Sequence, residues 1–202
     1  MIKLYHSPRT RSVRIYWLLE ELRLPYELEV VPFVSPLPPA RPFAQRSPFG
    51  KVPALQDGEL TMCESGAILE YILERYGQGR LAPAPGTPLR GPFLQWVHFA
   101  EATAFPPLAN IAWHTFKQDA DSIPSAMADY RGMAEAVLDT LKRALAGKEY
   151  LLGGDFSGAD IMMGFTVQCA QWFGVLDQRY PRLLAYLERL QSRPAFQKAF
   201  AS

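Results

Sequence analysis

Residues 48–72 hold the side chains and backbone groups best suited to bind a small charged ligand. The Val52-Pro53 pair opens a short apolar run, and X-Pro bonds are the ones that readily become cis. A cis bond there would turn the Val52 N–H and C=O outward, where they could pair with an extended ligand. A helical pattern begins at Glu64 and Ser65, and free N–H groups at a helix start favour a carboxylate. The segment therefore predicts a site for a peptide-like anion; the alternative is a proline-bounded hairpin and an ordinary helix cap.

The elements that would position this site follow from the spacing of apolar residues. Residues 2–5 alternate as a strand does, residues 15–22 have helical spacing, and residues 26–31 predict a second strand. Thr10 or Ser12 is a plausible N-cap of that helix.

A second group of elements follows a proline-dense stretch, which is expected to hold one short helix at 42–46. Asp57-Gly58 predicts a tight turn between two short strands, and residues 64–76 predict a helix. The order β-α-β-(α)-β-β-α indicates a mixed four-stranded sheet flanked by helices.

Residues 77–92 are rich in Gly and Pro and suit an interdomain linker. Only helical patterns follow, and Pro106-Pro107 should break or kink the first of them. Ser157 and Asp160 have the spacing of a capping box before an apolar run that predicts a central, buried helix. The predicted helical stretches are 93–104, 108–116, 125–146, 180–191 and 194–200.

Composition narrows the classes of function. The 202 residues are 49% hydrophobic and 20% charged with a net charge of +1, so no nucleic-acid partner is expected. No apolar run is long enough to span a bilayer, so no membrane is expected either. Cys63 and Cys169 form neither a C-x-x-C pair nor a metal motif, so we expect no metal and a reducing cytoplasm.

Several stretches together resemble the cytosolic glutathione S-transferases, in particular bacterial ones. They are Leu-Tyr-His-Ser-Pro-Arg-Thr-Arg-Ser-Val-Arg at 4–14 with Trp-Leu-Leu-Glu-Glu-Leu at 17–22, Gly-Lys-Val-Pro-Ala-Leu at 50–55, and Glu-Ser-Gly-Ala-Ile-Leu-Glu-Tyr-Ile at 64–72. Leu-Leu-Gly-Gly-Asp-Phe-Ser-Gly-Ala-Asp at 151–160 is similar to a segment of that family's helical domain. The resemblance therefore covers nearly the whole chain.

The resemblance implies an α/β plus all-α fold. A thioredoxin-like N-terminal domain (βαβαββα) at 1–76 would be followed by a linker at 77–88 and an all-helical domain at 89–202. It also implies a cytoplasmic detoxification enzyme that uses glutathione as co-substrate and conjugates its thiolate to small hydrophobic electrophiles. Glutathione-dependent reduction of disulfides or peroxides is an additional expectation. Members usually pair as two-fold homodimers.

The same resemblance implies roles for individual residues. A free thiol has a pKa of about 8.5, so making a thiolate at neutral pH needs a donor after the first strand. Serine-type members use a hydroxyl there, and the candidates in order are Thr10, Ser7 and Ser12. The same corner holds three arginines that predict either a local positive field or a solvated helix end: Arg9, Arg11 and Arg14.

The remaining implied residues bind the two substrates. Val52, before a cis Pro53, would pair with the cysteinyl part of glutathione, while Glu64 and Ser65 would hold the γ-glutamyl end. The side chain that would reach the glycyl end is Lys51 or Gln45. Aromatic residues of the helical domain would form the walls of an electrophile site between the domains, or simply pack in the core: Phe99, Phe105, Trp113 and Phe116.

Two other functions stay open at this point. The chain could be a non-catalytic glutathione-fold protein that binds or regulates partners, because a fold alone does not determine function. An isomerase of the maleylacetoacetate type is less favoured, because no Ser-Ser-Cys run follows the first strand.

Overall fold

The computed structural model describes residues 1–32, 47 and 49–201. The predicted short helix at 42–46 lies outside the described residues, as does Gln45. By their contacts, the described residues form two compact units. The first is Met1–Ala82 together with the chain from Ser192 onward, and the second is Pro83–Gln191.

The first unit is built on a four-stranded sheet with the strand order β2-β1-β3-β4. Strand β1 pairs in parallel with β2 and antiparallel with β3, and β3 pairs antiparallel with β4. This is the mixed sheet that the sequence predicts, and the fold class is confirmed. The strands are β1 (Ile2–His6), β2 (Tyr26–Val30), β3 (Ala54–Asp57) and β4 (Leu60–Cys63).

Two helices of this unit pack against the sheet: α1 (Ser12–Leu22) and α2 (Ser65–Tyr76). The buried face of α1 includes Ile15, Leu18 and Leu19, each fully buried, as their helical spacing predicts. The N-cap position of α1 is Arg11, which is itself in a helical conformation. Ser12 is the first helical residue and not the cap. Thr10 Oγ1 accepts a hydrogen bond from the Ser12 N–H at 3.3 Å, which is the contact expected of a capping side chain.

The hairpin also differs by one residue from its prediction. Asp57 pairs with Leu60, so the two-residue turn consists of Gly58 and Glu59 rather than Asp57-Gly58. Gly58 has a φ of +61°, a left-handed conformation that glycine adopts without a steric penalty. Asp57 is held in the strand because its carboxylate accepts hydrogen bonds from the hydroxyls of Tyr71 and Tyr76.

The second unit is helical, and its only described strand-like feature is an isolated bridge between Tyr150 and Gly153. Its helices are α3 (Arg90–Phe99), α4 (Phe105–Lys117), α5 (Pro124–Ala144), α6 (Gly158–Trp172) and α7 (Pro181–Gln191). Within the described residues, no helix is long and apolar enough to cross a bilayer.

The predicted break at Pro106-Pro107 is present as a change of helix type. A π-helical segment, Ala100–Ala104, joins α3 to α4, and the two prolines occupy the first turn of α4. Proline has no N–H to donate, so it is tolerated in a first turn, where that donor has no partner within the helix. The hydroxyl of Thr166 on α6 donates to the Ala100 carbonyl and so satisfies part of the altered segment.

The capping box predicted before α6 is confirmed. The Asp160 carboxylate accepts hydrogen bonds from the Ser157 and Leu151 N–H groups, the Ser157 hydroxyl and the Tyr186 hydroxyl. Burial raises the pKa of Asp160, and these four hydrogen bonds oppose that rise. The helix that follows is buried from Gly158 to Ala170, as its all-round apolar pattern predicts.

The chain end returns to the first unit. Helix α8 (Pro194–Ala201) packs on α1, with the Phe196 and Trp17 rings in edge contact at 4.9 Å between centroids. Arg193 donates two hydrogen bonds to the Glu21 carboxylate. Residues 192–201, which the sequence assigns to the helical domain at 89–202, therefore pack with the first unit. The domain boundaries themselves stay a prediction.

Candidate functional site

The sheet register brings three separate parts of the chain to one edge. Tyr5 pairs with Ala54, and Ala54 pairs with Cys63. The loop after β1, the residues before β3 and the residues after β4 therefore all lie at the same edge of the sheet. These are the three stretches from which the sequence draws its glutathione-site candidates.

A cluster of hydroxyl groups follows β1. The Thr10 and Ser12 hydroxyl oxygens lie 2.7 Å apart. The Thr10 hydroxyl donates to the Ser7 carbonyl oxygen at 2.8 Å, and the Ser7 N–H donates to Ser12 Oγ at 3.0 Å. Ser7 and Ser12 are buried, whereas Thr10 is half-buried, so Thr10 is the one of the three candidates with a partly open surface.

His6, the last residue of β1, is the innermost member of this cluster. Its Nδ1 lies 2.9 Å from Ser12 Oγ, and its ring meets the Tyr16 ring edge-on at 5.3 Å. The side chain is fully buried, and this burial lowers the pKa of His6 to about 4 because the charged imidazolium is poorly solvated there. His6 is therefore neutral at pH 7.

The start of α2 combines an open helix end with a buried cation. Within the described chain, the Glu64 side chain makes no capping hydrogen bond to this helix. Glu64 has a φ of 69° and an exposed side chain, while Ser65 is buried. Arg14 of α1 is fully buried and donates from Nη1 to Ser65 Oγ at 3.0 Å. A fixed positive charge thus lies beside the helix start, where N–H groups and the dipole already favour an anion.

The segment before β3 is anchored by a serine that the sequence reasoning missed. The peptide bond between Val52 and Pro53 is cis, as expected. Ser47 Oγ donates to the Lys51 carbonyl at 2.9 Å, accepts from the Lys51 N–H at 3.2 Å, and lies 3.3 Å from Cys63 Sγ. Ser47 therefore holds the loop backbone against the end of β4, next to Val52.

Cys63 has a structural place at the end of β4. It ends β4 with its thiol buried and packs with Tyr5 and Ala54, with Val52 against the same cluster. Lys51 has an exposed side chain. Gln45, the other candidate for the glycyl end, lies outside the described residues.

The aromatic candidates of the second unit lie on α3 and α4. Phe99 ends α3 and meets Trp96 edge-on, and Phe105 begins α4 with its ring 5.8 Å from that of Phe165. Both are half-buried, as is Trp113. Phe116 is different, because 67% of its surface is exposed. That Phe99, Phe105 and Trp113 bind an electrophile stays a prediction.

Comparison with known proteins identifies the family. Residues 2–80 match the family description "Glutathione S-transferase, N-terminal domain", and residues 124–189 match "Glutathione S-transferase, C-terminal domain". The chain is also 30% identical over 213 residues to glutathione S-transferase 3 of Schizosaccharomyces pombe, which covers 96% of this chain and 85% of that protein. The chain belongs to the glutathione S-transferase family.

Two further proteins extend this comparison. The disulfide-bond oxidoreductase YfcG of Escherichia coli is 30% identical, over 96% of this chain and 92% of its own length. A glutathione transferase family member from Pseudomonas fluorescens, solved with two glutathione bound, has a TM-score of 0.83 and 26% identity, covering 98% of this chain and 92% of that one. The prediction of a glutathione transferase enzyme is thus confirmed at the level of the family.

Proposed function

We propose that this chain binds glutathione at the edge of its sheet and conjugates it, through the sulfur of its thiolate, to small hydrophobic electrophiles. The observation that supports the proposal is the shared edge. The pairing of β1, β3 and β4 brings three groups to one edge of the sheet. They are the loop with the partly open Thr10 hydroxyl, the backbone segment before β3, and the start of α2 with its buried arginine. A tripeptide with two carboxylates, an ammonium and a thiol matches these groups.

Each part of glutathione has a partner in this arrangement. The Val52 backbone pairs with the cysteinyl unit as a short added strand. The N–H groups at Ser65 bind the γ-glutamyl carboxylate, with Arg14 behind them, and the Glu64 carboxylate pairs with the ammonium. Lys51 reaches toward the glycyl carboxylate from the exposed side of its loop.

Thr10 is the group we assign to the sulfur. Ser7 and Ser12 are 1% and 0% exposed, so a ligand atom meets Thr10 first. A hydrogen bond from its hydroxyl favours the thiolate over the thiol, and each unit of lowered thiol pKa corresponds to about 1.4 kcal/mol. The thiol proton leaves to solvent, the sulfur forms a bond to the electrophilic carbon, and the leaving group departs with the electron pair of the broken bond.

Disulfide reduction is a second candidate, favoured by the similarity to a disulfide-bond oxidoreductase. There the glutathione thiolate attacks one sulfur of a disulfide and releases the other as a thiol. A second glutathione then resolves the mixed disulfide and leaves as glutathione disulfide.

We propose a cytoplasmic role in detoxification and a two-fold homodimer, with the linker at 77–88 between the two domains. Both cysteines are free, which agrees with a reducing compartment. Light scattering after gel filtration measures the dimer directly.

The test is a titration of the protein with glutathione, followed by the ultraviolet absorbance of the thiolate. Wild type is expected to bind glutathione and to show the thiolate band near neutral pH, and to conjugate members of an electrophile panel. Thr10→Val should lose the band and most of the turnover while still binding glutathione, and Thr10→Ser is the matched control that keeps both. Binding with neither a thiolate band nor turnover in wild type would instead support the non-catalytic alternative.

A further inference from the structure

Behind the Thr10 hydroxyl lies a cluster formed by His6, Ser7 and Ser12. The polar contacts in this cluster outnumber the hydroxyl hydrogens that could make them. Four contacts call for a hydroxyl or imidazole hydrogen: Thr10 to the Ser7 carbonyl at 2.8 Å, Thr10 to Ser12 at 2.7 Å, Ser12 to His6 Nδ1 at 2.9 Å, and Ser12 to the Ser7 carbonyl at 3.1 Å. The two hydroxyls supply only two hydrogens, and the His6 ring can supply a third.

One arrangement gives each of the three shorter contacts a hydrogen of its own. The Thr10 hydroxyl donates to the Ser7 carbonyl, which can only accept, the Ser12 hydroxyl donates to Thr10 Oγ1, and His6 Nδ1 donates to Ser12 Oγ. The fourth contact is the longest and shares the Ser12 hydrogen. The Ser12 N–H also donates to Thr10 Oγ1, at 3.3 Å.

This assignment makes His6 a neutral imidazole with its hydrogen on Nδ1. The lowered pKa of His6, about 4, agrees with a neutral ring at pH 7. Because His6 and Ser12 are both fully buried, water does not compete for these bonds. In this assignment the hydrogen bonds all point in one direction: His6 donates to Ser12, and Ser12 donates to Thr10.

We propose that His6 and Ser12 are positioning residues, which hold Thr10 Oγ1 as an acceptor from behind so that its own hydrogen is free to turn onto the glutathione sulfur. This inference rests on the proposed function, since it assigns the groups that act through Thr10. When the Thr10 hydrogen turns to the sulfur, the Ser7 carbonyl keeps the Thr10 N–H as a donor at 3.3 Å. Hydrogen bonds aligned in one direction polarise one another, so the Thr10 donor is strengthened by the two behind it.

The experiment compares the pKa of the bound glutathione thiol in five proteins, measured from thiolate absorbance against pH. They are wild type, Thr10→Val, Ser12→Ala, His6→Leu and His6→Asn, each checked for folding by circular dichroism and thermal melting. Asparagine is the matched control, because its amide nitrogen can replace Nδ1–H, whereas leucine has no donor. Affinity for S-methylglutathione, which has no thiol, measures binding separately.

We expect Thr10→Val to raise the thiol pKa to about its free value of 8.5. Ser12→Ala and His6→Leu should each raise it by about half a unit, with the affinity for S-methylglutathione unchanged, and His6→Asn should restore the wild-type value. A merely structural role for His6 would alter both ligands together and would not be rescued by asparagine.

Two different failures are distinguishable. If wild type binds no glutathione or never lowers its thiol pKa, the proposed function fails. If wild type lowers the pKa and Thr10→Val abolishes this, but Ser12→Ala and His6→Leu match wild type, only the positioning role is overturned. Loss of the thiolate in Ser12→Ala with a normal Thr10→Val would overturn it as well, by making Ser12 the direct donor.

Discussion

Replacing His6 with asparagine is expected to change how the stability of the protein depends on pH. The His6 ring is fully buried, and its pKa falls from 6.5 to about 4 on folding. Between these values the unfolded chain binds a proton that the folded protein does not. Acidification through this window therefore stabilises the unfolded state, and the free energy of unfolding falls with falling pH.

The magnitude follows from the size of the shift. Each pH unit inside the window lowers the free energy of unfolding by about 1.4 kcal/mol, so the full contribution of His6 is about 3 kcal/mol. This loss of stability is complete near pH 4. Above pH 6.5 it vanishes, because His6 is neutral in both the folded and the unfolded protein. The raised pKa of Asp160 acts in the opposite direction above pH 3.8, so the total slope is smaller than the His6 share.

The assay is urea unfolding, followed by tryptophan fluorescence, at half-unit steps from pH 7 to pH 4.5 and at one protein concentration. The difference in the free energy of unfolding between wild type and His6→Asn should change by roughly 2 to 3 kcal/mol across this range. The variant becomes more stable relative to wild type as the pH falls. His98→Asn is the control, since His98 is exposed on α3. Parallel pH profiles for wild type and His6→Asn would refute the reasoning.

Three further predictions concern side chains whose surroundings are equally well defined. Asp160→Ala leaves four buried donor groups without their acceptor, so we expect a loss of at least about 3 kcal/mol in urea unfolding, while exposed Asp155→Ala should cost almost nothing. Glu64→Gly should be more stable than Glu64→Ala by about 1 kcal/mol, because glycine tolerates a φ of 69°. Both Glu64 variants should bind glutathione more weakly, as measured by calorimetry. Equal stability of Glu64→Gly and Glu64→Ala would show that this backbone is unstrained. Phe196→Ala should cost about 3 kcal/mol, because it removes a ring that is only 4% exposed from its contact with Trp17. A thermal melting point within a degree of wild type would contradict that packing.

The parts of this fold that depend on near neighbours in the chain could be predicted from the sequence. The strand alternation, the apolar face of α1, the capping box at Ser157 and Asp160 and the stop at Pro106-Pro107 each involve residues a few positions apart. Their physical causes act over one turn of backbone, so the sequence pattern carries them directly. The error of one residue at the hairpin turn arises because the Asp57 carboxylate has partners outside the turn, the hydroxyls of Tyr71 and Tyr76.

What sequence reasoning could not supply are contacts between distant residues. The sequence predicts that Arg14, with Arg9 and Arg11, belongs either to a local positive field or to a solvated helix end. Only the fold buries Arg14 against Ser65, 51 positions away in the chain. Ser47 carries no sequence signal of its own, because its partner Cys63 lies 16 positions away, at the end of β4.

The sequence alone determined which chemistry this protein offers: a peptide-binding edge, a helix start for a carboxylate, and three hydroxyls after the first strand. The tertiary structure decided which hydroxyl has a partly open surface and which are buried behind it. It also decided that His6, the last residue of β1, contacts Ser12 in the same hydrogen-bonded cluster, and that the chain end packs on α1. The reason is physical, since burial and hydrogen-bond direction depend on how the sheet register and the helices surround a group, and no local pattern records that.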